Sequence, residues 1–148
     1  MSQKQTVFRC INGCSTYALH EPIYTCRACG SLLEVQYPSH ILTQHSASEW
    51  KNLFKERAHS ANARHRSGVW RYHEWVLPEL PLADIITLGE GATPLVPMTR
   101  LSTQWGIELS LKQCGQSLSG SFKDLGMTVL VSQVHHMRKN GVPIRAVA

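Results

Sequence analysis

The sequence has no long uninterrupted hydrophobic run, no internal repeat and no low-complexity tract. The first absence excludes a membrane-spanning helix, which needs about 20 consecutive apolar residues. The second excludes an architecture stacked on a fixed period. Acidic side chains are also scarce, 10 against 15 Lys and Arg, leaving a formal charge of +5. Much of that excess sits at Lys51, Lys55, Arg57, Arg64, Arg66 and Arg71, interleaved with Glu56 and Glu74. Base-stacking aromatics are not interleaved with these charges in a nucleic-acid motif, so the run reads as a solvated helix face. No nucleic acid and no membrane is the partner expectation. The eight histidines are scattered without a repeated ligand spacing, which argues against a histidine metal centre.

With 148 residues, 43% of them hydrophobic, the chain has room for one ordinary domain and a small appendage. The appendage is marked by Cys10, Cys14, Cys26 and Cys29, a CxxxC and a CxxC separated by eleven residues. Four thiolates paired in this way suit tetrahedral, structural zinc with no open coordination position. Gly13 and Gly30 supply tight turns, and Tyr24, Leu32, Leu33 and Val35 give the alternation of a small ribbon hairpin. Met1 to Val7 is short and polar and reads as no secretory signal, so a reducing, cytoplasmic compartment is expected and disulfides are the weaker reading. Four reduced, metal-free cysteines stay open as an alternative. Cys114 has no partner spacing and is expected to be packed.

Beyond the cysteines, Ser46 and Glu49 form a capping box, and Trp50, Leu53, Phe54 and Arg57 share one face of the helix that follows. Pro78, Pro81, Gly89, Gly91 and Pro94 break residues 78–95 into extended turns. Arg100 to Trp105, closed by Gly106, reads as a short helix, and Ile107 to Lys112 alternates as a strand. After a polar loop, Gln113 to Ser121, the residues Leu125, Met127, Val129, Leu130, Val131, Val134 and Met137 recur at helical spacing. This predicts a long helix from Phe122, buried in its first half and stopped by Gly141 and Pro143. Lys123 then falls in the first turn. There the positive helix pole and partial burial would raise its fraction of nucleophilic amine and suit it to Schiff-base chemistry. Gly120 would let a flat cofactor approach the backbone, Ser121 offers a hydroxyl beside it, and Asp124 complements the dipole. An ordinary surface lysine at a helix start fits the same pattern.

Gly120-Ser121-Phe122-Lys123-Asp124, followed by Gly126-Met127, resembles the cofactor-lysine segment of the threonine synthase family, pyridoxal-phosphate enzymes of the tryptophan-synthase-β type. Gly68-Val69-Trp70, Glu74 through Glu79, Leu88 through Leu95, Cys114-Gly115-Gln116 and Thr128 through Ser132 resemble the plant-like branch of that family in the same order. Ser117-Leu118-Ser119 departs from the His-Thr or Asn-Pro-Thr expected before the Gly-Ser and leaves the substrate contacts of this loop open. The resemblance implies an α/β, fold type II domain with a parallel sheet and helices, preceded by a zinc-ribbon-like unit. Its divisions are residues 1–38 for the ribbon, 39–82 for a helical and extended linker, and 83–148 for the start of the catalytic domain. It further implies Lys123 as the Schiff-base lysine, Phe122 and Ser121 beside pyridoxal 5'-phosphate, O-phospho-L-homoserine as substrate, and a homodimer at full length. The chain stops at Ile144 to Ala148, within an expected strand and before the family's later cofactor motifs, so it reads as an amino-terminal fragment, inactive alone. Three other readings remain: a phosphoserine-using relative such as cysteate synthase, a dehydratase of the same fold, and a truncated binding module without activity. A site for S-adenosylmethionine, which regulates the plant-like branch, is not placed on any residue.

Overall fold

A computed structural model describes residues 5–147. Of the expectations above, the polar start at Met1 to Lys4 and the final residue of the terminal strand, Ala148, lie outside the described residues.

The cysteine-bearing unit is a three-stranded antiparallel sheet. Strand β1 (Val7–Cys10) lies between β2 (Thr16–Ala18) and β3 (Leu33–Gln36), with Phe8 opposite both Tyr17 and Val35. Each cysteine pair lies on a turn that only glycine closes comfortably: Gly13 and Gly30 both have φ of 71°, and their N–H groups donate to the carbonyls of Cys10 and Cys26. Cys10, Tyr17 and Cys26 are buried together, with Phe8, Ile23 and Leu33 packed around them.

A short helix, α1 (Ser39–Leu42), leads to α2 (Ala47–Ala58), where the capping box forms as expected. The Ser46 hydroxyl accepts from the Glu49 N–H at 3.3 Å, and the Glu49 carboxylate accepts from the Ser46 N–H at 2.6 Å. Trp50 and Phe54 are buried, and both pack edge-on against Trp75. Two more short helices, α3 (Ala63–Arg66) and α4 (His73–Val76), flank a single tight turn at Trp70–Tyr72. Trp70, Leu77, Leu80 and Ile85 make the main core. The basic run is not wholly a solvated face, because Arg57 turns inward, its side chain only 14% exposed, and forms two bonds to Glu74.

Strand β4 (Leu95–Pro97), helix α5 (Thr99–Trp105) and strand β5 (Ser110–Lys112) follow, and then the long helix α6 (Asp124–Lys139). Gly106 caps α5 with φ of 66° and returns the chain alongside β4, so β4 and β5 pair antiparallel. Both sheets among the described residues are antiparallel, which differs from the parallel sheet expected for residues 83–148. Only part of the Ile107 to Lys112 alternation is strand, because only its last three residues lie against β4. Residues 142–147 form no ladder, since no strand lies beside them among the described residues.

Helix α6 also reverses an expectation. Its buried residues are Thr128, Ser132 and Met137, whereas Met127, Leu130 and Val131 are all more than 40% exposed. The helix presents hydroxyls to the core segment and carries much of its apolar stripe outward.

Candidate active site and metal centre

Lys123 precedes α6 as its cap residue, with φ −61° and ψ −25°, one position before the first full helical turn expected for it. Its carbonyl accepts from the N–H groups of Gly126 at 3.0 Å and Met127 at 2.9 Å. The backbone here is therefore already helical. The side chain is exposed, as is that of Phe122, so the partial burial expected of the lysine is absent. Lys123 nonetheless places a reachable primary amine at the positive end of a 16-residue helix.

The loop before it is fastened by the residues that depart from the family pattern. The Ser117 hydroxyl donates to the Ser121 carbonyl at 2.7 Å, and the Ser119 N–H donates to the Asp124 carboxylate at 2.9 Å. The Ser119 hydroxyl donates to the other carboxylate oxygen, and the Ser121 hydroxyl accepts from the Lys123 N–H at 3.2 Å. These donors, first the Ser119 hydroxyl and then its N–H, hold the Asp124 carboxyl below its ordinary value. Gly120 makes the turn with φ of 76°. Ser121, Phe122 and Lys123 are thus brought together on one short, internally bonded segment.

Helix α6 is fixed beneath that segment by a polar chain. The indole N–H of Trp70 donates to the Thr128 hydroxyl at 2.9 Å, which donates to the Ile86 carbonyl at 2.8 Å. The Ile86 N–H in turn donates to the Ser132 hydroxyl at 2.9 Å. At the far end of the helix, buried Asp84 accepts from Lys139 at 2.6 Å and pairs with His136 at 2.7 Å. Sequence reasoning missed these positioning groups; the available signal was Thr128 and Ser132, spaced i, i+4 inside an otherwise apolar stretch.

Beside α6 lies an open cleft of about 720 Å³, lined by Phe8, Tyr37, Trp75, Leu125, Val129 and Leu130 among others. Leu125 and Gly126 reach it from the start of the helix, but Lys123 does not line it.

The structure also brings the four cysteines together. Their sulfur atoms all lie within 4.8 Å of one another, with Cys14 3.4 Å and Cys10 3.5 Å from Cys29. Zinc bonded to sulfur at about 2.3 Å in a tetrahedron places its ligands roughly 3.8 Å apart, so the quartet could hold a metal ion of this kind once its sulfurs shift by some tenths of an ångström. The Cys29 thiol is drawn down to about 6, first by the Ser31 hydroxyl, while Cys14 is pushed up to about 12, first by its hydrogen bond to Cys29. Cys26 is lowered, chiefly by the Tyr17 hydroxyl 3.4 Å away. Cys114 lies apart and is partly exposed.

No protein-family model matches the chain. It is 42% identical over 131 residues to threonine synthase 2, chloroplastic, of Arabidopsis thaliana, covering 87% of this chain and 25% of that protein. It is 39% identical over 131 residues to the threonine synthase of Methanocaldococcus jannaschii, covering 87% of this chain and 29% of that one. With the threonine synthase of Methanosarcina acetivorans the identity is 33% over 135 residues, again 29% of the relative's length. By sequence the chain is a relative of the threonine synthases, spanning between 25% and 29% of the length of these three.

Proposed function

We propose that the chain forms part of a threonine synthase, converting O-phospho-L-homoserine and water to L-threonine and phosphate, with Lys123 as the cofactor lysine. The observation that carries this reading is the exposed Lys123 amine at the head of α6, behind a loop held by Ser117, Ser119 and Asp124. Pyridoxal phosphate, when bound, supplies the electron-withdrawing ring. Lys123 would hold it, with Ser121 and Phe122, the two residues before the lysine, beside it. The amine of Lys123 would carry protons at the α and β carbons of the substrate. Phosphate leaves from the γ carbon and water adds at the β carbon. A base that both removes and returns protons works best with a pKa near the working pH. The cysteine quartet holds zinc in a purely structural role, because all four positions of the tetrahedron are taken by sulfur. The 148 residues alone are expected to place the lysine without turning substrate over.

The test is borohydride reduction of the purified chain in the presence of pyridoxal phosphate, followed by peptide mapping. Selective labelling of Lys123 is expected. Equal labelling of Lys51, Lys55, Lys112 and Lys139 would overturn the assignment. Comparing O-phospho-L-homoserine with phosphoserine as substrates of the full-length gene product separates threonine synthesis from a cysteate-synthase activity.

A further inference from the structure

The four sulfurs of the ribbon are not equivalent. Cys10 and Cys26 are buried, at 0% and 2% exposure, whereas Cys14 and Cys29 lie at the surface. The buried Cys26 sulfur also meets the Tyr17 hydroxyl, whose own oxygen accepts from the Arg27 N–H at 2.9 Å. A donor on a thiolate withdraws electron density and makes it a poorer nucleophile. Cys29 is met by the Ser31 hydroxyl and, at 3.9 Å, by the Asn12 amide, while Cys14 contacts only other members of the quartet among the described bonds. Cys14 and Cys29 are 3.4 Å apart, the shortest sulfur–sulfur separation among those bonds. Each buried cysteine is thus paired in sequence with an exposed one, and the two exposed ones face each other across the quartet.

We propose that Cys14 and Cys29 form an oxidative modification site: a hydroperoxide links these two sulfurs and expels the zinc, leaving Cys10 and Cys26 reduced. The proposal rests on the zinc reading above and goes beyond it. The Cys14 sulfur attacks one peroxide oxygen, an S–O bond forms, the O–O bond breaks and hydroxide leaves. The Cys29 sulfur then attacks Cys14, an S–S bond forms, the S–O bond breaks and a second hydroxide leaves. Two protons from solvent convert the hydroxides to water. The two sulfurs together lose two electrons, the peroxide gains them, and zinc, which has no redox chemistry, is unchanged. Only Cys10 and Cys26 then remain to hold the ion, and it departs. Reduction by a dithiol in the presence of zinc restores the ribbon.

The experiment uses the full chain carrying Cys114→Ala, which removes the bystander thiol, loaded with zinc and exposed to one equivalent of hydrogen peroxide. Zinc release is followed with a chromogenic chelator, and disulfides are located by fragmentation sequencing of unreduced peptides. Expected are one zinc released per disulfide, at least a ten-fold excess of the Cys14–Cys29 link over any other, and recovery with dithiothreitol and zinc. A principal link through Cys10 or Cys26, or zinc retained after Cys14 and Cys29 are joined, overturns the proposal. A reduced chain that takes up no zinc overturns the metal reading itself, and that is measured before any oxidant is added.

Discussion

The Trp70 indole N–H and the Thr128 hydroxyl meet at 2.9 Å across 58 residues of sequence, and both groups are buried. This bond joins the main core to the helix that carries Lys123 at its head. Replacing Trp70 with Phe removes the donor and leaves unfilled volume in the core. We expect a loss of about 2–3 kcal/mol, read as a lower urea midpoint with an unchanged slope. A loss below about 1 kcal/mol would mean that the contact is incidental.

Gly68 and Gly91 touch backbone to backbone. A Cβ placed on Gly68 would lie 1.9 Å from the Ala92 nitrogen and 2.2 Å from the Gly91 carbonyl carbon. Neither atom belongs to a side chain that can swing away. Gly68→Ala is therefore expected to cost at least about 3 kcal/mol or to abolish soluble expression. Gly89→Ala meets no atom within 4 Å and strains only its own φ of 92°. Comparing the melting temperatures of the two variants checks the distinction.

Arg57 grips Glu74 through both nitrogens, at 2.6 and 2.7 Å, and also reaches the Arg71 carbonyl at 2.9 Å. A lysine keeps the charge but not the fork. Arg57→Lys should lower stability by about 1.5–3 kcal/mol in equilibrium unfolding. A change within experimental error would show that charge alone suffices.

Asp84 sets a pH limit. Lys139 first, and then His136, hold its carboxyl below the ordinary value. A carboxyl lower in the folded chain than in the unfolded one adds stability above the unfolded value, about 3.9, and that stability fades as pH falls through the folded value. Unfolding midpoints should therefore be level with respect to this group near neutrality and drop below about pH 4. In Asp84→Asn that acid-dependent drop should be smaller. An identical acid limb in both proteins would exclude Asp84 as its source.

With zinc in the quartet, as proposed, its removal should loosen residues 7–36 first. That unit is attached to the rest by Leu19, which packs against the Trp70 core, by Gln133 to the Leu19 carbonyl at 3.3 Å, and by the residues flanking it, Thr6 to Glu79 at 2.6 and 2.9 Å and Tyr37 to the Val76 carbonyl at 2.9 Å. Chelation is expected to raise amide exchange through β1, β2 and β3 before it changes α2. Uniform loss of protection along the chain would mean that the ribbon is not a separate unit of stability.

What was legible in the sequence was local. The capping box at Ser46 and Glu49, the stops at Gly106 and Gly141, and the gathering of Cys10, Cys14, Cys26 and Cys29 each depend on residues close together along the chain. The Asp84 pair with His136 and the approach of Gly68 to Gly91 were not legible, because nothing near either residue announces a partner so far away. The apolar spacing of α6 gave the helix correctly but not its orientation. A periodic stripe shows which residues share a face, and the neighbours decide which face is covered. Exposure of Lys123 and Phe122 escaped the sequence for the same reason.

The long reach from Trp70 to Thr128 has a consequence for how the chain is made. Every ladder partner in the ribbon lies between residues 7 and 36, so that unit can close while most of the protein is still being synthesised. Trp70 must wait 58 residues for its acceptor, and Asp84 waits 52 and 55 residues for His136 and Lys139. At about 5–20 residues per second, the tryptophan stays without that partner for roughly 3–12 s. The ribbon is therefore the first part of the nascent chain able to finish, and α6 is the late clasp that shuts the segment between Trp70 and Ile86.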